Sequence, residues 1–558
     1  AEEKSVGIYL GFSEVFWTGF IKSLLPEIFA QLGKTVFQTG VLKIEIKDLM
    51  DVYFAVDEFK VLELAYDLDK TRVDLIAKNN TMGLHVGNSS FKGFLKYKVD
   101  LDPKMLSDEG DLLFGYEKFS LDLVFGVGDP KDPSKISLNV TTNSMDLKAK
   151  DLTLLLNNTN DFNQMMVYIL NTIKGPILNV VEKVLEEGIG EGINKAIGMI
   201  PYPFVIGNMS FDASFIEAPK INPSFTSNRL VGKFFPTKNP TLPFNQTKPL
   251  PEFDEKGQSL QLYVSEYTLK SFFYSQYELG QVRIVLDSAT PTIGPSLNTN
   301  ALGFFLPGLI DTYGFHKNCN VTLIAFEEVP EISISPKMMN LKGKFKFVVD
   351  VEVSKNKWET ACELDLHTKF QGNFQISGNL SLSIVIDSIS LSFETVISSN
   401  IGTININMLK RLTFMIQFIL KMAINIIFRN GINLNDYLPF KLDLGVIDFS
   451  LGDGYMTLQS TPDFESQENK KNIEEFVEKY FSKAINFEGG LTSSGDKEGL
   501  TQKLTNAFFD QLDQIDFKEE FGTHQNGAIK SSYKGYKFFE SLLNFASQDY
   551  DMGDLKNL

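Results

Sequence analysis

Catalytic and nucleotide-binding motifs place histidine, serine and glycine at characteristic spacings. This chain has neither the spacing of a catalytic motif nor that of a nucleotide-binding motif. Its histidines are His85, His316, His367 and His524, and none belongs to the His-Glu-x-x-His pattern of a zinc hydrolase. The sequence contains neither a Gly-x-Ser-x-Gly nucleophile elbow nor a Gly-x-x-x-x-Gly-Lys-Ser/Thr phosphate loop. We therefore expect no catalytic site, no metal and no cofactor, with an esterase or lipase kept as an alternative.

The two cysteines, Cys319 and Cys362, are the remaining residues with covalent chemistry. Two thiols cannot form a four-thiolate zinc site, so we expect them to pair as a disulfide. That bridge would close a loop of about 43 residues and stabilise the fold by roughly 4 kcal/mol through the entropy of the unfolded chain. The alternative is a pair of buried free thiols.

Eight Asn-x-Ser/Thr sequons favour a glycoprotein, although a long chain rich in asparagine also produces several by chance. The first residues, Ala-Glu-Glu-Lys, resemble a chain that starts after a removed signal peptide. Together they predict an extracellular or lumenal protein. The sequon asparagines are Asn79, Asn88, Asn139, Asn157, Asn208, Asn245, Asn320 and Asn379.

Composition excludes several classes of protein. The 558 residues are 43% hydrophobic and 22% charged, which is typical of a globular protein and not of a disordered one. The formal charge of −17 lacks the basic excess that binding to nucleic acid requires. Phenylalanine is unusually frequent, with 48 residues against 18 Tyr and 2 Trp.

No apolar run is long enough to span a bilayer. The nearest, Leu412 to Phe428, carries Gln417, Lys421 and Asn425 at four-residue spacing, which indicates an amphipathic or buried helix.

Most of the remaining sequence alternates between apolar and polar residues, the pattern of strands with one buried face. Val41 to Lys47, Phe345 to Val353 and Leu380 to Ile386 are examples. Beyond Ile386 the apolar positions change parity and resume at Ile389. A shift by one residue predicts a β-bulge that bends this strand.

Four segments have helical spacing instead: about 13–32, 161–200, 265–279 and 405–428. The first and third open with Ser-Glu, a helix N-cap followed by an acid that suits the helix dipole. A short helix, many strands, a long helix, Pro-Phe and further strands then occur in this order twice. We interpret this as two copies of one unit.

Two stretches carry a family resemblance: Leu262-Tyr-Val-Ser-Glu-Tyr-Thr-Leu-Lys-Ser-Phe-Phe-Tyr and Leu438-Pro-Phe-Lys-Leu-Asp-Leu-Gly-Val-Ile-Asp-Phe-Ser-Leu. With the Pro-rich crossing after Ala218-Pro219-Lys220, they make residues 5–463 resemble the lipid-transfer/lipopolysaccharide-binding family of the tubular lipid-binding superfamily. That family includes bactericidal/permeability-increasing protein, lipopolysaccharide-binding protein and the cholesteryl ester and phospholipid transfer proteins.

The resemblance implies an α+β fold of two pseudo-symmetric barrels. Each would be a twisted antiparallel sheet wrapped around a long helix, and a central sheet would join them into a boomerang. The expected divisions are an N-terminal barrel at 1–220, a Pro-rich linker and crossing at 221–257, a C-terminal barrel at 258–464, and an acidic, partly helical extension at 465–558.

Two features depart from the family pattern. Family members usually carry a disulfide in the N-terminal barrel, whereas residues 1–318 contain no cysteine. The antibacterial members present a basic tip, whereas this chain is acidic and offers only the scattered Lys92, Lys96 and Lys98. The resemblance therefore favours a general lipid pocket over recognition of endotoxin.

By the resemblance, the protein is a non-catalytic lipid-binding or lipid-transfer protein that holds phospholipid or another acyl lipid in each barrel. An acyl chain of about 14 methylenes gains on the order of 11 kcal/mol on leaving water. The expected partners are phospholipids or a membrane surface, not nucleic acid, with a protein partner possible through residues 465–558. The expected lipid-binding residues are Phe16, Phe20, Leu24, Met166, Ile169, Ile173, Ile177, Leu269, Phe272, Phe273, Met408, Leu412, Met415 and Ile419.

Two alternatives stay open. Any of these apolar side chains would look the same in sequence if it only packed in a core. The same fold would also serve as a scaffold in which lipid is filler and the C-terminal extension docks a partner.

Overall fold

The structure is a computed structural model that describes residues 6–34, 36–37, 41–46, 50–102, 107–127, 132, 138–145, 147–148, 151–156, 174, 178, 204–245, 248–378, 380–428, 432–433 and 441–480. Over these ranges the protein is a mixed α/β chain that is mostly sheet.

The helices of these ranges are α1 Glu14–Lys34, α2 Glu266–Glu278, α3 Thr299–Gly303, α4 Gly308–Tyr313, α5 Ile406–Phe428 and α6 Gln467–Tyr480. Single 3₁₀ turns occupy Leu68–Lys70, Ala77–Asn79 and Gly294–Ser296.

The strands of the first half are β1 Ile8–Ser13, β2 Val36–Phe37, β3 Val41–Ile46, β4 Met50–Ala65, β5 Thr71–Ile76, β6 Thr81–Asp102, β7 Ser107–Val127, β8 Leu138–Met145, β9 Thr153–Leu156, β10 Phe204–Ile206, β11 Met209–Asp212, β12 Lys220–Ile221, β13 Phe225–Leu230 and β14 Lys233–Pro236. Those of the second half are β15 Leu260–Ser265, β16 Arg283–Leu286, β17 Cys319–Ala325, β18 Glu331–Ser335, β19 Met338–Ser354, β20 Lys357–Ile376, β21 Ser381–Ser399, β22 Ile432–Asn433, β23 Ile447–Leu451 and β24 Tyr455–Ser460.

Four open antiparallel sheets result. The first-half sheet has the order β2-β4-β6-β7-β8, with β3, β5 and β9 pairing beside this path. The second-half sheet has the order β16-β17-β19-β20-β21-β22, with β18 also paired to β19. A central sheet runs β12-β13-β1-β15-β24-β23, and a small sheet runs β10-β11-β14.

The central sheet joins the two halves of the chain. Its middle strand β1 pairs on one side with β13, where Gly11 faces Ser227, and on the other with β15, where Gly11 faces Gln261. The Pro-rich segment packs beside this sheet, where the Phe244 ring makes edge contacts with Tyr267 and Tyr274 of α2.

The predicted helix starts are confirmed by their caps. The Ser13 hydroxyl accepts a hydrogen bond from the Phe16 amide at 3.2 Å. The Ser265 hydroxyl accepts one from the Tyr267 amide at 3.1 Å. Asn405 caps α5 in the same way, because its side-chain oxygen accepts from the Met408 amide at 3.1 Å. Each cap satisfies an amide that the first helical turn leaves without an intrahelical partner.

The predicted bulge is confirmed in β21. Gln371 of β20 faces Ser388, whereas the next residue, Gly372, faces Ile386, so Asp387 is the extra residue. The bulge explains the parity change in the sequence, because the side chains on either side of it return to the same face of the sheet.

The disulfide prediction is wrong: both cysteines are buried free thiols. Cys319 of β17 faces Val351 of β19, and Cys362 of β20 faces Val349 on the other side of β19. Two strand spacings of about 4.8 Å separate the cysteines, beyond the roughly 7 Å between Cα atoms that a disulfide can span. The order of the strands therefore prevents the pairing.

The long helix expected over 161–200 lies outside the described residues apart from Lys174 and Leu178, and so does the chain from 481 to 558. No helix in the described part of the chain combines the length and apolarity needed to cross a membrane.

Candidate functional site

An apolar cavity of about 60 Å³ lies inside the second half of the chain. Every described side chain that lines it is a hydrocarbon or aromatic group, so these residues offer no hydrogen bond to water or to a polar ligand. The lining residues are Leu286, Ile293, Leu297, Leu302, Phe305, Leu306, Val321, Phe347, Val349, Leu364, Phe393, Leu409, Ile416, Ile419 and Leu420.

The second-half sheet forms one wall of the cavity. Alternation along β19 turns Phe347 and Val349 inward, and the neighbouring strands add Val321, Leu364 and Phe393. The Phe347 and Phe393 rings meet edge to face with their centroids 5.5 Å apart. This wall is rigid, because its residues belong to the large buried core of this half.

Helix α5 forms the second wall. Leu409, Ile416 and Leu420 lie on one helical face, and all three line the cavity. Phe414 and Phe418 lie on the opposite face and are 66% and 68% exposed in the described structure. This second face also carries Lys421 and Asn425, so within the described residues α5 buries its apolar cavity face and exposes two phenylalanines beside polar side chains.

Polar side chains of α5 hold the helix against the bulge. The Asn425 side chain accepts a hydrogen bond from the Ile386 amide at 2.7 Å and donates one to the Ile386 carbonyl at 2.9 Å. The Lys421 ammonium donates to the Asp387 carbonyl. Asn425 lies on the same helical face as Phe418. Strand β21 thus contacts α5 on this face through the bulge, and its Phe393 lines the cavity together with the opposite face of α5.

Residues 299–317, which we call the cap, close the cavity at one end of the sheet. They comprise α3, α4 and the loop to Lys317, and they contribute Leu302, Phe305 and Leu306 to the lining. The cap packs closely on the chain that precedes α5, since a Cβ atom on Gly308 would lie 2.1 Å from the Ile401 carbonyl oxygen. Only glycine permits this approach.

The cavity is small for a lipid. Its volume of about 60 Å³ equals that of roughly two water molecules and is less than half of the 150 Å³ cavity that holds a benzene ring. An acyl chain would therefore need the cap or α5 to move away from the sheet.

One of the seven second-half residues predicted to bind lipid lines the cavity, namely Ile419. Met408, Leu412 and Met415 are half-buried along the stripe of α5 that Ile419 shares, but they are not among the residues that line the cavity. Because apolar residues cover a broad arc of α5, the sequence does not determine which stripe within that arc faces the cavity.

The other three second-half residues, Leu269, Phe272 and Phe273, belong to α2. Phe272 is buried against Met209 and Phe234, and Phe273 packs beside this cluster. Leu269 is half-buried.

The first-half predictions fall partly in a packed aromatic cluster. The Phe464 ring lies 5.2 Å from Phe16 and 5.8 Å from Phe20, measured between centroids. Leu24 is buried on the same helix. Contact of these residues with lipid stays a prediction. Met166, Ile169, Ile173 and Ile177 lie outside the described residues.

Sequence reasoning missed most of the cavity lining. The alternation over Phe345 to Val353 contained a signal for Phe347 and Val349, because such a pattern turns every second residue inward. The cap gave no comparable signal, since Leu302 lies in the five-residue helix α3 and Phe305 follows it, and so short a helix shows no period in the sequence.

The sequon asparagines differ in exposure. Asn79, Asn88, Asn208 and Asn245 are exposed. Asn320 is half-buried on β17, and its side-chain oxygen is buried without a hydrogen-bond partner. The side chain of Asn139 is not described, and Asn157 and Asn379 lie outside the described residues. Glycosylation stays a prediction at every position.

The described part of the chain offers little support for metal binding or nucleophilic catalysis. No three His, Cys, Asp or Glu side chains come together there as a metal-binding group. Burial raises the pKa of the Cys319 and Cys362 thiols to about 12, so neither is a ready nucleophile. An open depression of about 600 Å³ lies beside Tyr66 and Asn88, but Asp67 and Asp69 line it and make it unsuited to hydrocarbon.

Residues 208–461 match the family model described as LBP / BPI / CETP family, C-terminal domain. This range contains the second-half sheet, the cap, α5 and the central strands of this half. Residues 208–461 therefore carry a C-terminal domain of the LBP/BPI/CETP family. The match covers both stretches that carried the resemblance in the sequence, and the predicted family is confirmed.

The chain is also similar to solved structures. Lipopolysaccharide binding protein matches 82% of this chain and 99% of its own at 16% identity and a TM-score of 0.41. P47 of Clostridium botulinum E1 matches 82% of this chain and 99% of its own at 11% identity and a TM-score of 0.23. Takeout 1 of Epiphyas postvittana matches 34% of this chain and 93% of its own at 14% identity and a TM-score of 0.25. Scores this low carry no argument about function. No curated protein matches the chain.

Proposed function

We propose that the protein is a non-catalytic lipid carrier that holds the acyl chain of a phospholipid or similar lipid between α5, the second-half sheet and the cap. The observation that carries this proposal is the cavity, whose lining by described residues consists of fifteen side chains that are all apolar. A hydrocarbon chain gains free energy there without any polar anchor. The LBP/BPI/CETP C-terminal domain at residues 208–461 supports the same function.

The proposal extends to architecture. We propose two barrels joined by the central sheet, with the N-terminal barrel at 1–220, the crossing at 221–257 and the C-terminal barrel at 258–464. The attachment of β21 to one face of α5, with Phe393 of the same strand lining the cavity at the other face, supports a sheet that curls around its helix. We further propose that the protein is secreted or lumenal and that some exposed sequons carry glycans.

The cavity walls can be tested by filling the space. Ile416→Trp adds a ring on the cavity face of α5, whereas Phe414→Trp places the same ring on the exposed face of the same helix. We expect gently purified wild-type protein to release acyl lipid in a denaturing mass spectrum. The lipid content should fall at least about fivefold in Ile416→Trp and stay unchanged in Phe414→Trp, because only the first ring occupies the site.

Folding is checked independently by circular dichroism and by the lack of reactivity of the buried thiols. Wild-type protein that carries no lipid would refute the proposal. So would a folded Ile416→Trp variant that carries as much lipid as the wild type.

A second candidate is a scaffold that docks a partner through residues 465–558. The structure indicates where the deletion that tests this candidate should begin. The start of this segment belongs to the fold, because Ile473 and Val477 of α6 are fully buried and α6 packs on α1. A deletion of 481–558 therefore leaves this packing intact. Loss of partner binding with unchanged lipid content would favour the scaffold, and loss of lipid would favour the carrier.

A further inference from the structure

The end of the second-half sheet that carries the cap also carries exposed aromatic side chains. Phe304 is 57% exposed, Phe315 is 64% exposed and Trp358 is 38% exposed. Phe304 and Phe315 belong to the cap, and Trp358 belongs to the hairpin between β19 and β20. Large exposed aromatic groups gathered in one region mark an interaction surface.

Hydrogen bonds hold the aromatic loop of the cap in place. The Thr299 amide donates to the Lys317 carbonyl at 2.9 Å, and the His316 amide donates to the Asn300 side chain at 2.7 Å. The loop that carries Phe315 is thus fastened to the start of α3, and its exposure is built into the fold.

The cap is also joined to the β19–β20 hairpin. The Glu352 amide donates to the Asn318 carbonyl at 2.9 Å, and the Asn318 side chain donates to the Glu352 carboxylate at 2.8 Å. Glu352 faces Trp358 across the hairpin. The three aromatic residues therefore share one end of the sheet.

Phe304 and Phe305, which are adjacent in the cap, lie on opposite sides of it. Phe305 lines the cavity, while Phe304 is exposed and its ring packs edge to face against Phe305 with the centroids 5.4 Å apart. A force that pulls Phe304 away from the protein therefore acts directly on Phe305, the side chain that closes the cavity.

Charges around these aromatic residues are nearly balanced, although the whole chain carries −17. Lys317, Lys355 and Lys357 stand among Asp311, Asp350, Glu352 and Glu359. Lys357 pairs with Glu359 at 3.2 Å, and hydrogen bonds from Asn318 and Asn356 lower the pKa of Glu352. A nearly balanced set of charges suits the zwitterionic head groups of phosphatidylcholine, and aromatic side chains favour the interface between head groups and acyl chains.

We propose that this end of the second-half sheet docks on the surface of a phospholipid bilayer, with Phe304, Phe315 and Trp358 inserted at the interface. Docking pulls the cap away from α5. The acyl chain enters through the opening between the cap and α5. The route rests on the proposed carrier function, whereas the docking can be tested without it.

Flotation with dioleoylphosphatidylcholine vesicles tests the docking. Phe304→Ser/Phe315→Ser removes the two cap rings, and Phe414→Ser/Phe418→Ser removes two equally exposed rings from α5 as a matched control. We expect the cap variant to bind vesicles at least about tenfold more weakly for each phenylalanine removed. The control variant should bind like the wild type.

The chain contains two tryptophans, which allows an optical test of the same surface. Trp17 is tied by its ring nitrogen to the Thr226 hydroxyl at 3.1 Å. In a Trp17→Phe protein, Trp358 is the sole reporter, and its emission should shift to the blue when vesicles are added and be quenched by brominated acyl chains.

Three outcomes would refute the proposed docking. Wild-type protein that does not float with vesicles would do so, even if mass spectrometry still finds bound lipid and thereby supports the carrier function. Equal losses in the cap and α5 variants would indicate nonspecific adsorption. A wild-type dimer that becomes monomeric in the cap variant, without vesicle binding, would assign the surface to a second copy of the chain.

Discussion

Substitution of Asn425 most directly tests the attachment of α5 to the bulge in β21. In Asn425→Leu the side-chain volume is nearly kept, but both hydrogen bonds to the Ile386 backbone are lost. Ile386 is buried, so its amide and carbonyl would be left without partners. Each lost hydrogen bond costs about 1 kcal/mol, and each buried group without a partner raises the cost toward 1–3 kcal/mol. We expect a loss of about 3 kcal/mol.

Hydrogen exchange is the suitable assay, because a chain with several sheets need not unfold in one step. A local loss of about 3 kcal/mol corresponds to roughly a hundredfold faster exchange of the α5 amides. Asn407→Leu is the matched control, since Asn407 is exposed on the same helix and its substitution should change stability by no more than about 0.5 kcal/mol. Unchanged protection of α5 in Asn425→Leu, or an equal loss in Asn407→Leu, would refute the reasoning.

Two further predictions concern residues outside the cavity. With their pKa raised to about 12 by burial, Cys319 and Cys362 should have roughly one thiolate in ten thousand at about pH 8, and iodoacetamide should modify them only after unfolding in guanidinium chloride. A mass spectrum without reductant that shows two fewer hydrogens would contradict the free thiols. Phe464→Ala should destabilise the contact between α1 and the chain before α6 by about 3–5 kcal/mol, because this buried ring packs on Phe16 and Phe20. In a Trp358→Phe background, urea unfolding followed by the fluorescence of Trp17 measures that loss, and an unchanged midpoint would count against it.

The sequence by itself determined much of the local structure, because caps, bulges and alternation depend on near neighbours in the chain. Ser13, Ser265 and Asn405 cap helices close to where the spacing began. The parity change after Ile386 located the bulge at Asp387. The two stretches from Leu262 and from Leu438 led to the family that the match over residues 208–461 confirms.

The tertiary structure decided which residues meet across the fold. The cysteines stay apart because β19 runs between their strands, an order that no spacing in the sequence encodes. The cavity is lined by Leu409 and Ile416 rather than Met408 and Met415, because contacts far apart in the chain, such as those of Asn425 with the bulge, set how the broad apolar arc of α5 is rotated toward the sheet. The cap places Phe305 inside and Phe304 outside by packing against strands far away in the sequence. Local preferences fix neighbours along a chain, whereas long-range contacts arise only when the sheets and helices assemble.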